Sequence, residues 1–95
     1  MKPTFLELRH LRTLLALKET GSVSMAAKRV YLTQSALSHQ IKLMEEQFGL
    51  PLFERKSNPL RFTAAGDRLI RLANEILPKV IDAEDRKSTR LNSSH

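Results

Sequence analysis

Residues 33–48 read TQSALSHQIKLMEEQF, and this stretch decides the fold. Its large apolar side chains are four, three and four positions apart: Leu37, Ile41, Met44 and Phe48. That spacing places them on one face of an α-helix, which must be buried against other elements. Thr33 precedes the pattern and is a residue type that caps the first turn, while Gly49 follows it and suits a helix end. The stretch therefore predicts a helix from Gln34 to about Phe48.

A second face of this helix carries mostly short polar side chains, namely Gln34, Ser35, Ser38, His39 and Lys42. A solvated helix face is normally filled by long Glu and Lys side chains. Short polar groups near a helix N-terminus can reach base edges in the major groove, and glutamine can pair bidentately with adenine. Thr33 and the helix N-terminus favour a phosphate oxygen. On the residues alone, capping and an ordinary solvated surface explain the same pattern equally well.

The segment before this helix predicts two more helices. Leucines recur at three- and four-residue spacing from Leu6 to about Thr20, and Gly21 suits the left-handed residue that ends such a helix. Ser22 then caps a short second helix, whose apolar residues are small or slim: Met25, Ala26, Ala27 and Val30. Tyr31 and Leu32 make a tight connection to the helix that starts at Gln34. Two helices joined by about three residues form a helix-turn-helix.

Two short strands are predicted after Gly49. Leu52 and Phe53, and then residues 60–62, bracket a polar, basic turn that contains Arg55, Lys56 and Ser57. Such a hairpin, or wing, would place its basic side chains against a DNA backbone or in a minor groove. The alternative is that these residues are solubilising surface charges.

A fourth helix, capped by Thr63, follows the wing. Its apolar stripe is long and consists of Leu69, Ile70, Ala73, Ile76, Leu77 and Val80. Part of the stripe can pack on the first helix, and its length predicts pairing with a second copy of the chain. Pro78 is expected to kink or end the helix, because proline lacks an N–H and clashes with the preceding turn.

The chain is expected to divide into a winged helix-turn-helix (1–63), a truncated linker and dimerisation helix (64–84) and a tail (85–95). The tail is polar and resembles a translated sequencing adapter, so we expect it to be foreign to the natural protein. The formal net charge is +6, and without Asp85, Arg86, Lys87 and Arg90 it is +4. Both values favour a polyanionic partner.

Several function classes are disfavoured by composition. The chain has no cysteine, so it has neither a disulfide nor a thiolate metal site, and its three histidines include no pair at ligand spacing. No apolar run approaches the roughly 18 residues that span a bilayer, so no membrane partner is expected. No convergent acid, base or nucleophile is readable. We expect a cytoplasmic protein that is not an enzyme and binds no metal.

Five motifs, in this order, resemble the DNA-binding domain of LysR-type transcriptional regulators: GS at 21–22, AA at 26–27, TQSALSHQI at 33–41, LFER at 52–55 and LRFTAAG at 60–66. The resemblance covers residues 6–84 and implies a mainly α winged helix-turn-helix that binds partly palindromic promoter DNA as a dimer or tetramer. It implies base contacts by Gln34, Ser35, Ser38 and His39. It also implies contacts to phosphates or the minor groove by Ser22, Thr33, Lys42, Arg55, Lys56 and Ser57.

Residues 34–40, 55–57, 59–63, 72–74 and 77–78 look most like the members of this family that activate methionine-biosynthesis genes. That likeness implies a regulator on the bacterial nucleoid whose co-inducer, homocysteine, binds a separate C-terminal domain, so residues 1–95 would hold no cofactor. Two alternatives remain at this stage. One is an architectural winged helix that binds DNA without sequence preference, and the other is a winged helix that binds only proteins.

Overall fold

The computed structural model describes the backbone of residues 5–54 and 60–93 and the side chains of residues 5–54 and 60–85. Its elements, in chain order, are α1 (Leu8–Thr20), α2 (Val23–Arg29), α3 (Gln34–Phe48), β1 (Phe53–Glu54), β2 (Arg61–Phe62) and α4 (Ala64–Ser93). The first three helices form a core, β1 and β2 form an antiparallel pair, and α4 packs along α1. The mainly α winged helix-turn-helix predicted from the sequence is confirmed.

Side-chain and glycine caps set the ends of the first three helices. The Ser22 hydroxyl accepts a hydrogen bond of 3.3 Å from the Met25 amide, and the Thr33 hydroxyl accepts one of 3.1 Å from the Ala36 amide. Gly21 and Gly49 end α1 and α3 with φ angles of 70° and 75°, which glycine adopts at little cost. These four predicted helix boundaries are confirmed.

The start of α1 differs from the prediction. The helix begins at Leu8 rather than Leu6, and Leu8 itself is exposed. His10 is buried, and its Nδ1 accepts a hydrogen bond of 3.0 Å from the Glu7 backbone N–H. The Glu7 N–H has no partner inside the helix, and this bond satisfies it. His10 thus takes the role that glutamate or glutamine has at the same position of a capping box.

The core is built from the predicted apolar faces. Its largest fully buried apolar side chains are Leu14, Leu17, Leu37, Met44 and Leu52. Burying a side chain of this size contributes about 1.5–3 kcal/mol. Ala26 and Ala27 are also buried, so the backbone of α2 approaches its neighbours closely. Met25, which the sequence pattern grouped with them, is 55% exposed.

The wing is tied to the helices by hydrogen bonds. Phe53 pairs with Phe62 in the sheet, and the Thr63 amide donates to the Leu52 carbonyl over 3.0 Å. The Leu52 amide in turn donates to the Glu45 carboxylate over 2.8 Å, which joins the wing to α3. The base of the wing is therefore fixed relative to α3.

Helix α4 finds most of its apolar partners inside the chain. Leu69 and Ile70 join the main core, while Ala73 and Leu77 form a second cluster with Leu11 of α1. Of the six residues predicted for the dimer helix, these four are buried, and Ile76 and Val80 are half-buried. Pairing of two chains through this helix stays a prediction.

Pro78 lies inside α4, so the prediction that it could end the helix is wrong. Proline offers no N–H to the carbonyl of Asn74 one turn earlier. Asn74 is on the exposed side of α4, where solvent can hydrogen-bond that carbonyl, and the backbone stays helical to Ser93.

Candidate nucleic-acid interface

The polar stripe of α3 is open to solvent along its whole length. All five predicted members are exposed: Gln34, Ser35, Ser38, His39 and Lys42. The opposite side of α3 is held in the core by Leu37, Ile41 and Met44, each at most 5% exposed. The burial of one face fixes which face α3 presents, so the stripe is a rigid polar surface.

The N-terminus of α3 adds donors at one end of this surface, and the N-terminus of α2 offers groups of the same kind. A helix N-terminus leaves its first backbone N–H groups without helical partners and carries a partial positive charge. Thr33 uses its hydroxyl for one such group in α3, and Ser22 does the same in α2. The remaining first-turn N–H groups are suited to an anionic oxygen such as that of a phosphate.

The aromatic rings of the wing are held against α1. The Phe53 and Phe62 rings meet edge to face with centroids 5.7 Å apart. The Lys18 ammonium lies 5.8 Å from the centroid of the Phe62 ring, a cation–π contact. Arg55, Lys56 and Ser57 lie outside the described residues, and their predicted DNA contacts stay predictions.

Two features outside the polar stripe were missed by the sequence interpretation. The first is His10, one of the three histidines, whose buried ring caps α1 although the sequence pattern gave it no structural role. Burial lowers the pKa of its imidazole; the Glu7 carboxylate raises it and the Arg9 guanidinium lowers it, both by smaller amounts. The second is Tyr31 in the turn between α2 and α3, whose φ angle is 59° although it is not glycine.

Two other kinds of site are absent from the described ranges 5–54 and 60–93. Within them, no group of three or more His, Asp or Glu side chains is placed to hold a metal ion. No helix in this part of the chain is long and apolar enough to cross a membrane.

Comparison with known sequences gives a consistent picture. Residues 8–67 match the family described as "Bacterial regulatory helix-turn-helix protein, lysR family". The chain is 90% identical over 84 residues to the HTH-type transcriptional regulator MetR of Haemophilus influenzae, covering 88% of this chain and 27% of that protein. It is 50% identical over 78 residues to MetR of Escherichia coli K12, covering 82% and 25%. The chain spans about a quarter of the length of these curated relatives.

Solved structures with the same fold include complexes with DNA. The BenM DBD in complex with benA site 1 DNA has a TM-score of 0.82 and 37% identity, covering 95% of this chain and all of that one. Vibrio fischeri DarR in complex with DNA has a TM-score of 0.82 and 27% identity, covering 94% of this chain and 30% of that one. Full-length LysG of Corynebacterium glutamicum, with bound effector Arg, also has a TM-score of 0.82, with 28% identity and coverage of 90% and 29%.

Proposed function

The chain belongs to the LysR family of bacterial regulatory helix-turn-helix proteins, and we propose that it is the DNA-binding part of a sequence-specific regulator of methionine-biosynthesis genes. The observation that carries this proposal is the exposed stripe of α3, which combines short polar side chains with a capped, donor-rich N-terminus. The 90% identity to a MetR protein supports the choice of genes.

Base recognition is assigned to Gln34, Ser35, Ser38 and His39. Glutamine can donate and accept at adenine, serine hydroxyls can do either at several bases, and histidine can hydrogen-bond through its ring nitrogens. These side chains lie in the first half of α3, which is the part of a recognition helix that enters the major groove.

Backbone contacts are assigned to Ser22, Thr33 and Lys42. The first two lie at helix N-termini, where backbone N–H groups face an anion, and Lys42 brings a full positive charge to the end of the stripe. Arg55, Lys56 and Ser57 are assigned to the same task from the wing. Contacts of this kind position the duplex and carry no direct sequence information.

The complete regulator would act as a dimer or tetramer in the bacterial cytoplasm. Its α4 helices would pair through the residues that its own core leaves partly open, chiefly Ile76, Val80 and the exposed Ile81. A small co-inducer, homocysteine by analogy with the methionine activators, would bind a separate C-terminal domain. The two MetR relatives are transcriptional regulators, which supports a binding function rather than catalysis.

A selection from a random duplex library, with the purified chain as bait, tests the proposal. We expect enrichment of a partly palindromic motif, and a preference for the enriched duplex over a scrambled one that persists when salt is raised. Binding without enrichment, lost at higher salt, would indicate an architectural DNA-binding protein. Failure to bind any duplex would favour a winged helix that binds proteins.

A further inference from the structure

Met25 combines solvent exposure with a sulfur atom that oxidants attack. The chain has three methionines and no cysteine, so all of its sulfur is in thioether groups. Met25 in α2 is 55% exposed, whereas Met44 in α3 is 1% exposed and packs in the core. Oxidation requires contact between the oxidant and the sulfur. An oxidant in solution therefore reaches Met25 and is kept from Met44.

Met25 occupies the third position of α2, three residues after the N-cap residue Ser22. The Ser22 hydroxyl oxygen accepts a hydrogen bond of 3.3 Å from the Met25 amide. In a capping box, the residue at this third position is glutamate or glutamine, and its side-chain oxygen reaches back to the N-cap residue. Methionine has no such oxygen, so only one of the two bonds of a capping box is made in α2.

The start of α1 shows that an acceptor at the third helical position reaches the N-cap residue in this fold. His10 is the third residue of α1, and its Nδ1 accepts a hydrogen bond of 3.0 Å from the N–H of the N-cap residue Glu7. Every Cα–Cβ bond of a helix tilts toward the N-terminus of that helix. The Cβ of Met25 is directed toward Ser22 for the same reason.

Methionine sulfoxide carries an oxygen where glutamine has its side-chain carbonyl oxygen. In both side chains, two methylene groups precede the atom that bears the oxygen. In the reaction, the lone pair of the Met25 sulfur attacks one oxygen of hydrogen peroxide, and the O–O bond breaks. The other oxygen leaves as water with both protons, so sulfur loses two electrons and peroxide gains them. Oxidation thus gives Met25 the acceptor that a capping box requires.

The Ser22 hydroxyl has a proton that the fold leaves unused. Its oxygen accepts from the Met25 amide, but its O–H donates to no group in the described ranges 5–54 and 60–85. A serine hydroxyl donates one hydrogen bond, and the proposed function assigns this one to a DNA phosphate. A sulfoxide oxygen on Met25 is an acceptor within reach of the same proton.

We propose that Met25 is a site of reversible oxidation and that its sulfoxide form weakens DNA binding. The sulfoxide oxygen accepts the Ser22 hydroxyl proton and withdraws it from the phosphate, and its partial negative charge repels the anionic DNA backbone. Because backbone contacts carry no sequence information, oxidation lowers the affinity for every duplex and leaves the base preference unchanged. This inference rests on the proposed function, which assigns Ser22 to the DNA backbone.

Peroxide treatment of the purified chain, followed by peptide mass spectrometry, tests the modification. Hydrogen peroxide should add an oxygen atom to Met25 before Met44 gains one, without lowering the urea midpoint of unfolding. Anisotropy should then show about fivefold weaker binding of both the enriched and the scrambled duplex, and methionine sulfoxide reductases should restore it. Equal oxidation of Met44, or unchanged affinity of a chain that is oxidised at Met25, would overturn the proposal.

Substitutions assign the effect to this position. Met25→Leu cannot take up oxygen here, so peroxide should leave its affinity within about twofold of its own untreated value. Met25→Gln carries an oxygen at the corresponding place and should bind about threefold more weakly than Met25→Leu without any peroxide. Loss of affinity in peroxide-treated Met25→Leu would place the effect at another residue and refute the site.

The untreated chain separates a failure of this inference from a failure of the proposed function. If the untreated chain binds no duplex, the proposed function is refuted and this inference with it. If the untreated chain binds DNA and oxidation of Met25 leaves that affinity unchanged, this inference alone is refuted.

Discussion

Gly66 lies in the first turn of α4, where it contacts the base of the wing, and we expect Gly66→Ala to destabilise the fold. A Cβ atom at this position would overlap the Leu52 carbonyl oxygen and would lie 3.0 Å from a carbon of the Phe62 ring. Because the overlap is with backbone, a side-chain rotation cannot relieve it. The start of α4 would have to move away from the wing.

The size of the effect follows from three contributions. Overpacking costs about 1–3 kcal/mol, and a backbone overlap belongs at the upper end of that range. The same Leu52 oxygen accepts the 3.0 Å hydrogen bond from the Thr63 amide, whose loss costs about 1 kcal/mol. Alanine recovers about 1 kcal/mol of helix propensity relative to glycine. The net expectation is a loss of about 3 kcal/mol in the free energy of unfolding.

Urea unfolding followed by far-UV circular dichroism measures this loss. With a urea dependence of about 1.5 kcal/mol per molar for a domain of this size, the midpoint should fall by about 2 M. Ala64→Gly in the same turn is the control, and since it meets no overlap it should cost no more than about 1 kcal/mol. A Gly66→Ala midpoint equal to or above that of the wild type would refute the close approach of α4 to the wing.

Three further changes give separate expectations. The pKa of His10 is lowered in the folded state, so its contribution to stability is complete above its unfolded value of 6.5 and is lost as the pH falls below it. His10→Gln keeps an acceptor for the Glu7 amide and should reduce the change of the urea midpoint between pH 7.5 and 5.5. An unchanged pH dependence of the midpoint would contradict this role of His10. Thr33→Ala removes the hydroxyl that accepts a hydrogen bond from the Ala36 amide, and it should lower the free energy of unfolding by about 1 kcal/mol. An unchanged unfolding midpoint would contradict this cap. Pro78→Ala restores a helical hydrogen bond within α4 and should raise stability by up to about 3 kcal/mol, and a decrease would argue against a continuous helix.

The helix-turn-helix could be predicted in detail because its signals are local. Thr33 and Gly49 mark the two ends of α3 by cap chemistry, and the spacing of apolar residues between them gives the buried face. The exposed stripe follows directly, because the residues of α3 that do not lie on its apolar face must point toward solvent. For this reason, the positions of Ser38 and His39 on an open face were predicted correctly.

Features that depend on the assembly of distant elements were not predictable. A surface cleft lined by Arg12, Tyr31 and Gln40 exists only where α1, the α2–α3 turn and α3 meet, and no single segment contains its pattern. Pro78 was expected to be able to end α4 by a local rule, but the packing of Ala73 and Leu77 on Leu11 holds the helix together across it. The apolar residues of α4 indicated that this helix needs a packing partner. They did not indicate how much of that packing α1 provides.

The most direct test of the central claim is the ratio of affinities for the enriched and scrambled duplexes, measured by anisotropy for the wild type, His39→Ala and Lys42→Ala. If the stripe recognises bases, His39→Ala should reduce the preference for the enriched duplex by about 1–3 kcal/mol. Lys42→Ala should weaken both duplexes equally and lower the salt dependence by about one counterion. Equal losses on both duplexes for both variants would contradict base recognition by α3.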